Sequence, residues 1–301
     1  EFLFYFLFSR LGQIQIRTRF HGMIGGIRRS DLETVLISLP PSEEQKVIAQ
    51  ILSTVDEAIQ KTNEIIAKTE RLKKGLMQEL LTKGIGHKEF KDTEIGKIPK
   101  EWGVVKVNKL FNLYKGTTPS TKIKEYWNGA IPFVTPTDIT KISDSNEIYL
   151  KATENYITEE GLKSKGLRLV PENSLLFTSR ATIGYLTVNK VKVAINQGII
   201  SLIPRNADVD VIFFYYLLQR LRGFFENLAG GSTYKEISMS TFSDISVPFP
   251  PLPEQQRIAE ILLTVDKRLE VERKRKEKLE RIKKALMDLL LTGKVRVRCE
   301  E

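Results

Sequence analysis

A block of about forty residues occurs twice in this chain, with an offset of 210 positions. Residues 40–56 and 250–266 both fit the pattern Pro-Pro-x-x-Glu-Gln-x-x-Ile-Ala-x-Ile-Leu-x-Thr-Val-Asp, and the similarity continues without a gap to residues 82 and 292. A match of this length indicates two copies of one structural unit rather than chance similarity. The organisation of the whole chain follows from this repeat.

The apolar run at residues 2–8 also has a counterpart, because the same offset places it on residues 212–218. A membrane-spanning helix needs roughly 20 apolar residues, and the second copy of the run lies inside a segment of globular composition. The run is therefore expected to belong to a globular core. We expect residues 1–39 to correspond to residues 211–249, the closing part of a domain whose front the first copy lacks.

Each copy of the repeated block carries apolar residues spaced alternately by four and three positions, which is the seam of a helix that pairs with another helix. A helix of about 40 residues is roughly 60 Å long and cannot leave such a stripe in water. The two copies are therefore expected to pair with each other. The seam positions proposed for the pair are Ile48, Leu52, Val55 and Ile59 in the first copy and Ile258, Leu262, Val265 and Leu269 in the second.

The ends of these helices carry recognisable signals. Ser42, with Gln45 three positions later, predicts a capping box at the start of the first helix. Gly84 and Gly293 stand just after the last apolar turns, where a residue in the left-handed conformation ends a helix.

The segment between the helices has the pattern of a mixed α/β domain, because short apolar runs alternate with turns rich in Gly, Thr, Ser and Asn. Strand-like runs lie at residues 131–134, 174–177, 184–188 and 199–203, and helical signals lie near residues 159–162 and over 211–228. The domain boundaries expected are 1–39 for the remnant, 40–86 for the first long helix, 87–250 for the mixed domain and 251–298 for the second long helix.

The amino-acid composition of the chain limits the classes of function that it can have. The chain has 47 Lys and Arg against 37 Asp and Glu, and this net charge of +10 is typical of proteins that bind nucleic acid or another anionic surface. Cys299 is the only cysteine, and His21 and His87 are the only histidines, so neither an intrachain disulfide nor a structural zinc site is expected. We expect a cytoplasmic protein with no cofactor and no metal.

Several motifs resemble those of one known family. Residues 93–102 (TEIGKIPKEW) and 252–259 (LPEQQRIA) are similar to the start of a target-recognition domain and to the start of the helix that follows it in specificity subunits of type I restriction-modification systems. The resemblance covers essentially the whole chain, but most of the first recognition domain is missing. Similar loops lie at residues 116–120, 178–184, 196–198 and 230–233.

The resemblance implies a DNA-binding subunit that is not itself an enzyme. In this family each recognition domain reads one half of a split DNA sequence, and the two helices form an antiparallel coiled coil that sets the gap between the halves. The fold class it implies is α+β, a mixed α/β recognition domain plus this helix pair. The implied partners are double-stranded DNA, the methyltransferase (modification) subunits and, indirectly, the restriction and translocase subunit, with no membrane.

Candidate DNA contacts follow from the chemistry of the loops. Lys and Arg supply affinity through phosphates, and side chains that reach base edges supply specificity. Arg180 is the first candidate because a guanidinium can pair with guanine through two hydrogen bonds; a structural role inside its own domain is the alternative. Asn196 and Gln197 carry amides that could read adenine or fix a turn. Small polar loops, which could equally be plain surface, supply the remaining candidates: Lys115, Thr117, Thr118, Ser120, Thr121, Lys122, Thr233, Tyr234 and Lys235.

Enzymatic functions find little support in the sequence. An Asn/Asp-Pro-Pro-aromatic motif and a Gly-rich cofactor loop, expected of an amino-group methyltransferase, are absent, as is a phosphate loop for ATP. Residues 44–46 resemble a nuclease Glu-x-Lys motif with Asp31 upstream, but their counterpart at residues 254–256 lacks the lysine. The basic run at residues 273–278 is interpreted as a solvated helix face rather than a DNA-binding helix.

Two other functions stay open at this point. The chain could be the recognition end of a fused restriction-modification enzyme, which methyltransferase motifs upstream would reveal. It could also be a truncated half-subunit that mainly dimerises.

Overall fold

A computed structural model of the chain describes residues 1–19, 26–230 and 235–298. The chain divides into two compact units: the first contains Glu1–Arg71 and Lys267–Glu301, and the second contains Leu72–Asp266. Each of two long helices contributes one part to each unit.

Among the described residues, helices are found at Phe2–Phe8 (α1), Arg10–Arg17 (α2), Arg29–Leu32 (α3), Ser42–Lys83 (α4), Val107–Leu110 (α5), Pro136–Asp144 (α6), Glu159–Ser164 (α7), Val211–Arg220 (α8), Arg222–Leu228 (α9), Met239–Ser243 (α10) and Leu252–Leu290 (α11), with a 3₁₀ turn at Lys124–Tyr126. Strands are found at Phe90–Thr93 (β1), Gly96–Pro99 (β2), Gly103–Lys106 (β3), Phe111–Lys115 (β4), Trp127–Val134 (β5), Tyr149–Leu150 (β6), Asn155–Ile157 (β7), Leu175–Thr178 (β8), Leu186–Asn189 (β9), Ala194–Ile195 (β10), Ile199–Pro204 (β11) and Ser246–Phe249 (β12). None of these helices is both long and apolar enough to span a membrane.

In the first unit, the start of α4 packs against the end of α11. Ile48 and Leu52 of α4 share a buried cluster with Leu290 and Leu291, and aromatic side chains of α1 complete it. Because the first turns of one helix meet the last turns of the other, the two helices run antiparallel in this unit. The alternating spacing of four and three keeps one face of each helix in this contact.

In the second unit the contact is reversed. Leu81, near the end of α4, belongs to the same buried core as Ile258 and Leu262, near the start of α11, so the helices are again antiparallel. Gly84 follows α4 with a φ of 68°, the left-handed conformation predicted for a helix end. A Cβ at Gly84 would also lie 2.8 Å from the Trp102 ring, so glycine is needed for close packing as well.

The start of α4 differs from the prediction. The helix begins at Ser42, which therefore lies in the first turn and is not the cap, since the first backbone bond runs from Gln45 to the Pro41 carbonyl. The Gln45 side chain donates to the Pro40 carbonyl at 2.8 Å, and the same bond, also 2.8 Å, recurs 210 positions later. The repeated Pro-Pro and Gln thus build the same helix start in both copies.

The second unit contains the mixed α/β domain. Its largest sheet has the strand order β4-β11-β8-β9-β6, in which neighbours are antiparallel except for the parallel pair β6 and β9. Helix α8 lies against this sheet, and its Phe214 ring meets the Phe111 ring of β4 edge-on, with centroids 5.2 Å apart. A three-stranded sheet (β10-β5-β7) and the pairs β1–β2 and β3–β12 complete the domain.

The predicted α+β fold class is confirmed. The strand-like runs fall in β5, β8, β9 and β11, and the helical signals correspond to α7 and to α8 with α9. The helical signals over residues 211–228 correspond to two helices, because Leu221 leaves helical geometry with φ −81° and ψ 4°.

Candidate DNA interface

The sheet topology brings three of the predicted loops to one place. Lys115 at the end of β4 pairs with Ile200 at the start of β11, and Ile199 pairs with Thr178 at the end of β8. Antiparallel neighbours alternate in direction, so the end of one strand lies beside the start of the next. The loops that leave these strands therefore emerge at the same end of the sheet.

Direct contacts join these loops into one surface. Ser179 N donates to the Gly198 carbonyl at 2.8 Å, and Ile237 N donates to the Ser179 carbonyl at 2.9 Å. Gly116 approaches Ile195 so closely that a Cβ would lie 1.8 Å from the Ile195 carbonyl oxygen, which makes glycine necessary. We call this surface the loop face; it comprises residues 115–122, 178–184, 195–198 and 235–237.

Glu236 lies in the middle of the loop face. Its carboxylate forms an ion pair with Lys115, and both side chains are about a third exposed. The Glu236 backbone also forms isolated β-bridges with Arg180 and Gly230. A phosphate that contacts Lys115 must therefore compete with a carboxylate of this chain. Sequence reasoning missed Glu236, because it lies 121 residues from Lys115 and belongs to no motif.

Arg180 is held by a strained turn between β8 and β9. The Thr178 hydroxyl accepts a hydrogen bond from Tyr185 N at 2.9 Å and donates to the Thr182 carbonyl. Ala181 has a φ of 65°, a conformation that is unfavourable for a residue with a Cβ and that clusters at functional sites. The half-buried Arg180 side chain thus starts from a fixed backbone position.

Arg222 supports the same turn from α9. Its guanidinium lies 3.8 Å from the centroid of the Tyr185 ring, a cation–π contact, and its Nε donates to Glu226 at 3.0 Å. Gly184 has a φ of 85°, and a Cβ there would lie 2.8 Å from Arg222 Cγ. Arg222 is a second residue that sequence reasoning missed, since only the tertiary fold brings α9 to the turn.

Asn196 and Gln197 behave differently from each other. Asn196 Oδ1 accepts a hydrogen bond from Gly198 N at 2.8 Å, so this side chain fixes its turn, which was the alternative role considered for it. Its Nδ2 has no partner among the described residues. Gln197 is exposed and its Oε1 accepts a hydrogen bond from Thr118, which ties two loops of the loop face together.

The remaining candidates are mostly at the rim. Thr117, Thr121, Lys122 and Lys235 are exposed, whereas the Ser120 carbonyl accepts a hydrogen bond from Trp127 Nε1 at 3.1 Å. Thr233 and Tyr234 lie outside the described residues. Within the described ranges, no group of three His, Cys, Asp or Glu side chains is arranged to hold a metal ion.

The predicted seam residues occupy two levels of burial. Ile48, Leu52, Ile258, Leu262 and Leu269 are at most 3% exposed, and Val55, Ile59 and Val265 are half-buried. Glu272 is also buried at a seam position, where one carboxylate oxygen pairs with Arg268 at 2.6 Å and the other makes no hydrogen bond within the described part of the chain. The apolar packing is therefore interrupted near the middle of α11.

Each unit contains the same polar cluster of Tyr, Asp and Lys. In the second unit, Tyr216 of α8 donates to Asp266 of α11 at 2.6 Å, and Lys73 of α4 pairs with the same carboxylate at 2.6 Å. Three helices thus meet at one carboxylate. In the first unit the cluster consists of Tyr5, Asp56 and Lys283, with a hydrogen bond of 3.0 Å and an ion pair of 2.5 Å.

A basic chain in which the loops of a sheet gather at one end, and in which two long helices pack antiparallel within each unit, has the organisation of a recognition module joined to a helical scaffold. The family model described as the type I restriction modification DNA specificity domain matches residues 1–71 and 99–281, and the chain belongs to this family.

Individual relatives agree with this assignment. The chain is 35% identical over 276 residues to a protein of Methanocaldococcus jannaschii described as the type I restriction enzyme MjaX specificity subunit, covering 90% of this chain and 62% of that protein. It is 32% identical over 311 residues to the MjaVIII specificity subunit of the same organism, covering 99% of this chain and 70% of that protein. A third relative there, the MjaIX specificity subunit, is 40% identical over 195 residues, 64% of this chain and 44% of that protein.

Solved structures share the fold. The HsdS subunit from Thermoanaerobacter tengcongensis matches with a TM-score of 0.59 and 20% identity, over 98% of this chain and 70% of that one. The type I S subunit from M. genitalium matches with a TM-score of 0.61 and 19% identity, over 96% and 72%.

Proposed function

We propose that this chain reads one DNA half-site for separate methyltransferase and restriction subunits and carries out no catalysis itself. The observation that carries the proposal is the loop face, where loops from three strand ends meet in a basic chain of this family. The similarity to subunits named for specificity supports the same role. Loops on a rigid sheet are a common way to vary a binding surface while the scaffold stays constant.

Within the loop face, the contacts divide the candidate residues by task. Arg180 is proposed to read guanine, because the strained turn fixes its backbone and its guanidinium can form two parallel hydrogen bonds. Gln197 is the proposed amide reader because its side chain is exposed, whereas Asn196 is half-buried with its oxygen held by Gly198 N; a base contact would replace the hydrogen bond from Thr118 to Gln197. Phosphate contacts are assigned to Thr233 and to the exposed residues of the loop face, Thr117, Thr121, Lys122 and Lys235; Tyr234 is proposed as a base or sugar contact.

The helix pair is proposed to act as a spacer and as the docking surface for the methyltransferase subunits. Helices of 42 and 39 residues are each roughly 60 Å long, which exceeds one turn of DNA at roughly 34 to 36 Å. The buried seam residues and the two Tyr–Asp–Lys clusters support a rigid scaffold that would keep its geometry when partners bind.

Residues 1–39 are proposed to be the closing part of another recognition domain. Leu3 and Phe4, the two residues before Tyr5 in α1, are 49% and 55% exposed. Phe214 and Tyr215, the two residues before Tyr216 in the second unit, are 0% and 4% exposed. The second unit buries its pair against the five-stranded sheet. An equivalent sheet is the surface that fits the exposed pair.

Selection of DNA from a random pool tests the proposal. Immobilised protein is expected to enrich one short contiguous motif over several rounds at a fixed salt concentration, because phosphate contacts alone give no sequence preference. Recovery of unbiased sequences would overturn it. Self-association through the exposed face of α1 is a second candidate function, and light scattering over a range of concentrations separates the two.

A further inference from the structure

The second unit contains a cleft of about 1170 Å³ that shares no residue with the loop face. Its walls come from the end of α4, the β1–β2 hairpin, the α8–α9 junction and the segment leading into β12. Much of the surface is apolar, and Phe224 is 50% exposed at its edge. The apolar side chains that line it include Leu81, Ile98, Leu217 and Leu221.

A half-buried cation in the cleft is poorly compensated, whereas the lysines that line it are exposed. Arg220 is half-buried, and its guanidinium makes a single hydrogen bond, from Nε to Gln78 Oε1 at 3.3 Å. Within the described part of the chain, no carboxylate forms a salt bridge with it, and burial lowers the pKa of Arg220 below its ordinary value. The two lysines with ion pairs at the cleft are satisfied: Lys83 by Glu79 at 2.9 Å and Lys106 by Asp244 at 3.0 Å.

We infer that this cleft binds a peptide segment of the methyltransferase subunit in which a carboxylate lies beside bulky apolar side chains. The planar guanidinium of Arg220 can hold a carboxylate through two hydrogen bonds. In the chain alone this half-buried charge makes only one weak hydrogen bond, so a ligand carboxylate would compensate it. Apolar neighbours of that carboxylate would cover Phe224 and the half-buried Leu221. The identity of the partner rests on the proposed function, whereas the chemistry of the ligand rests on the cleft.

The cleft is a poorer fit for DNA. The accessible apolar side chains Phe224 and Leu221 offer a phosphate backbone no hydrogen bond, and Lys83 and Lys106 already hold ion pairs with Glu79 and Asp244. It is also not part of the repeated scaffold. Arg220 lies four positions after Tyr216. The residue four positions after Tyr5 in the first unit is Ser9, whose hydroxyl accepts a hydrogen bond from Gly12 N at 3.2 Å and caps α2.

The test uses purified methyltransferase subunit of the same restriction-modification system and immobilised chain in a binding titration. We expect Arg220→Gln and Phe224→Ser each to weaken binding at least about tenfold, as expected for loss of a charged hydrogen bond or of a buried anchor. Matched controls are Arg168→Gln and Leu169→Ser, because these two side chains are exposed and lie outside the cleft. Thermal melting verifies that all four variants keep the parental fold.

A photo-crosslinking residue at position 224 gives a second measurement. It is expected to capture a methyltransferase peptide that contains Asp or Glu among apolar residues. Unchanged affinity of both cleft variants, or a captured peptide without an acid, would overturn the inference. So would a loss of DNA affinity with intact subunit binding, which would make the cleft a DNA contact. If the parent chain selects a DNA motif but does not bind the subunit, the inference fails while DNA reading stands.

Discussion

Asp56 and Asp266, at equivalent positions of α4 and α11, each accept a hydrogen bond from a tyrosine and pair with a lysine of the other long helix. The lysines, Lys283 and Lys73, also lie 5.6 and 5.5 Å from the centroids of the two tyrosine rings. The same three residue types thus join the two long helices once within each unit. A change in any one of them should affect the unit that contains it.

Replacing Tyr216 with Phe removes one donor from the second cluster. We expect the free energy of unfolding to fall by about 1.5 to 3 kcal/mol, the usual contribution of a hydrogen bond to a charged group, because both side chains are shielded from solvent. Urea unfolding measures it. Tyr156→Phe is the control, since the half-buried Tyr156 hydroxyl has no partner among the described residues. An equal loss in both variants would show that the cluster contributes nothing specific.

The tyrosine clusters also predict a response to high pH. Burial, followed by the hydrogen bond to Asp56, raises the pKa of Tyr5 to about 12 from 10.0. A group whose pKa is raised by folding stabilises fully below its unfolded pKa, and the contribution is lost as pH rises from about 10 to about 12. The comparison is between the parent and Tyr5→Phe, because the two proteins differ only in the tyrosine hydroxyl. The variant should lose less stability than the parent between pH 9.5 and pH 11.5; parallel curves would contradict this.

The helix pair predicts a graded response to buried charge. Leu269 is 3% exposed and Ile59 is half-buried, so we expect Leu269→Asp to destabilise by several kcal/mol and Ile59→Asp by less. Val271→Asp on the same helix is the control, because Val271 is 57% exposed. Binding of the methyltransferase subunit should fall in the same order. If Leu269→Asp melts like Val271→Asp, the seam assigned to α11 is wrong.

The isolated chain should not turn over substrates. Incubation with DNA and S-adenosylmethionine should give no methyl transfer, and incubation with DNA, ATP and magnesium should give no cleavage. A rate that rises in proportion to the protein added, and survives further purification, would contradict the adaptor role.

Much of the fold could be predicted from local sequence patterns. The heptad spacing predicted α4 and α11 because helical periodicity depends only on neighbours along the chain. Even so, the uniform offset placed Tyr5 on Tyr215, whereas the tyrosine that makes the equivalent bond is Tyr216, 211 positions later. A helix turned by one residue changes which side chain reaches the partner, and only packing decides that.

The candidate site was less predictable. The loops of the loop face were recognised from their small polar residues, but their convergence depends on strand order, which has no local signal. From the sequence, Lys115 was expected to be available for a phosphate, but the fold places Glu236 beside it. Asn196 had two possible roles, and its hydrogen bond from Gly198 N supports the role of fixing the turn. The Lys115–Glu236 pair joins residues 121 positions apart, so only the tertiary fold could reveal it.

Arg180 provides the most direct test of DNA reading by the loop face. The measurement is the affinity of parent and Arg180→Ala for the selected half-site and for a scrambled duplex, at the same salt concentration, with Arg168→Ala as an exposed arginine control. Loss of a base contact should weaken binding to the half-site by about 1 to 3 kcal/mol and leave the scrambled duplex nearly unchanged. Equal losses on both duplexes would assign Arg180 to phosphate or to structure and would contradict sequence reading at this turn.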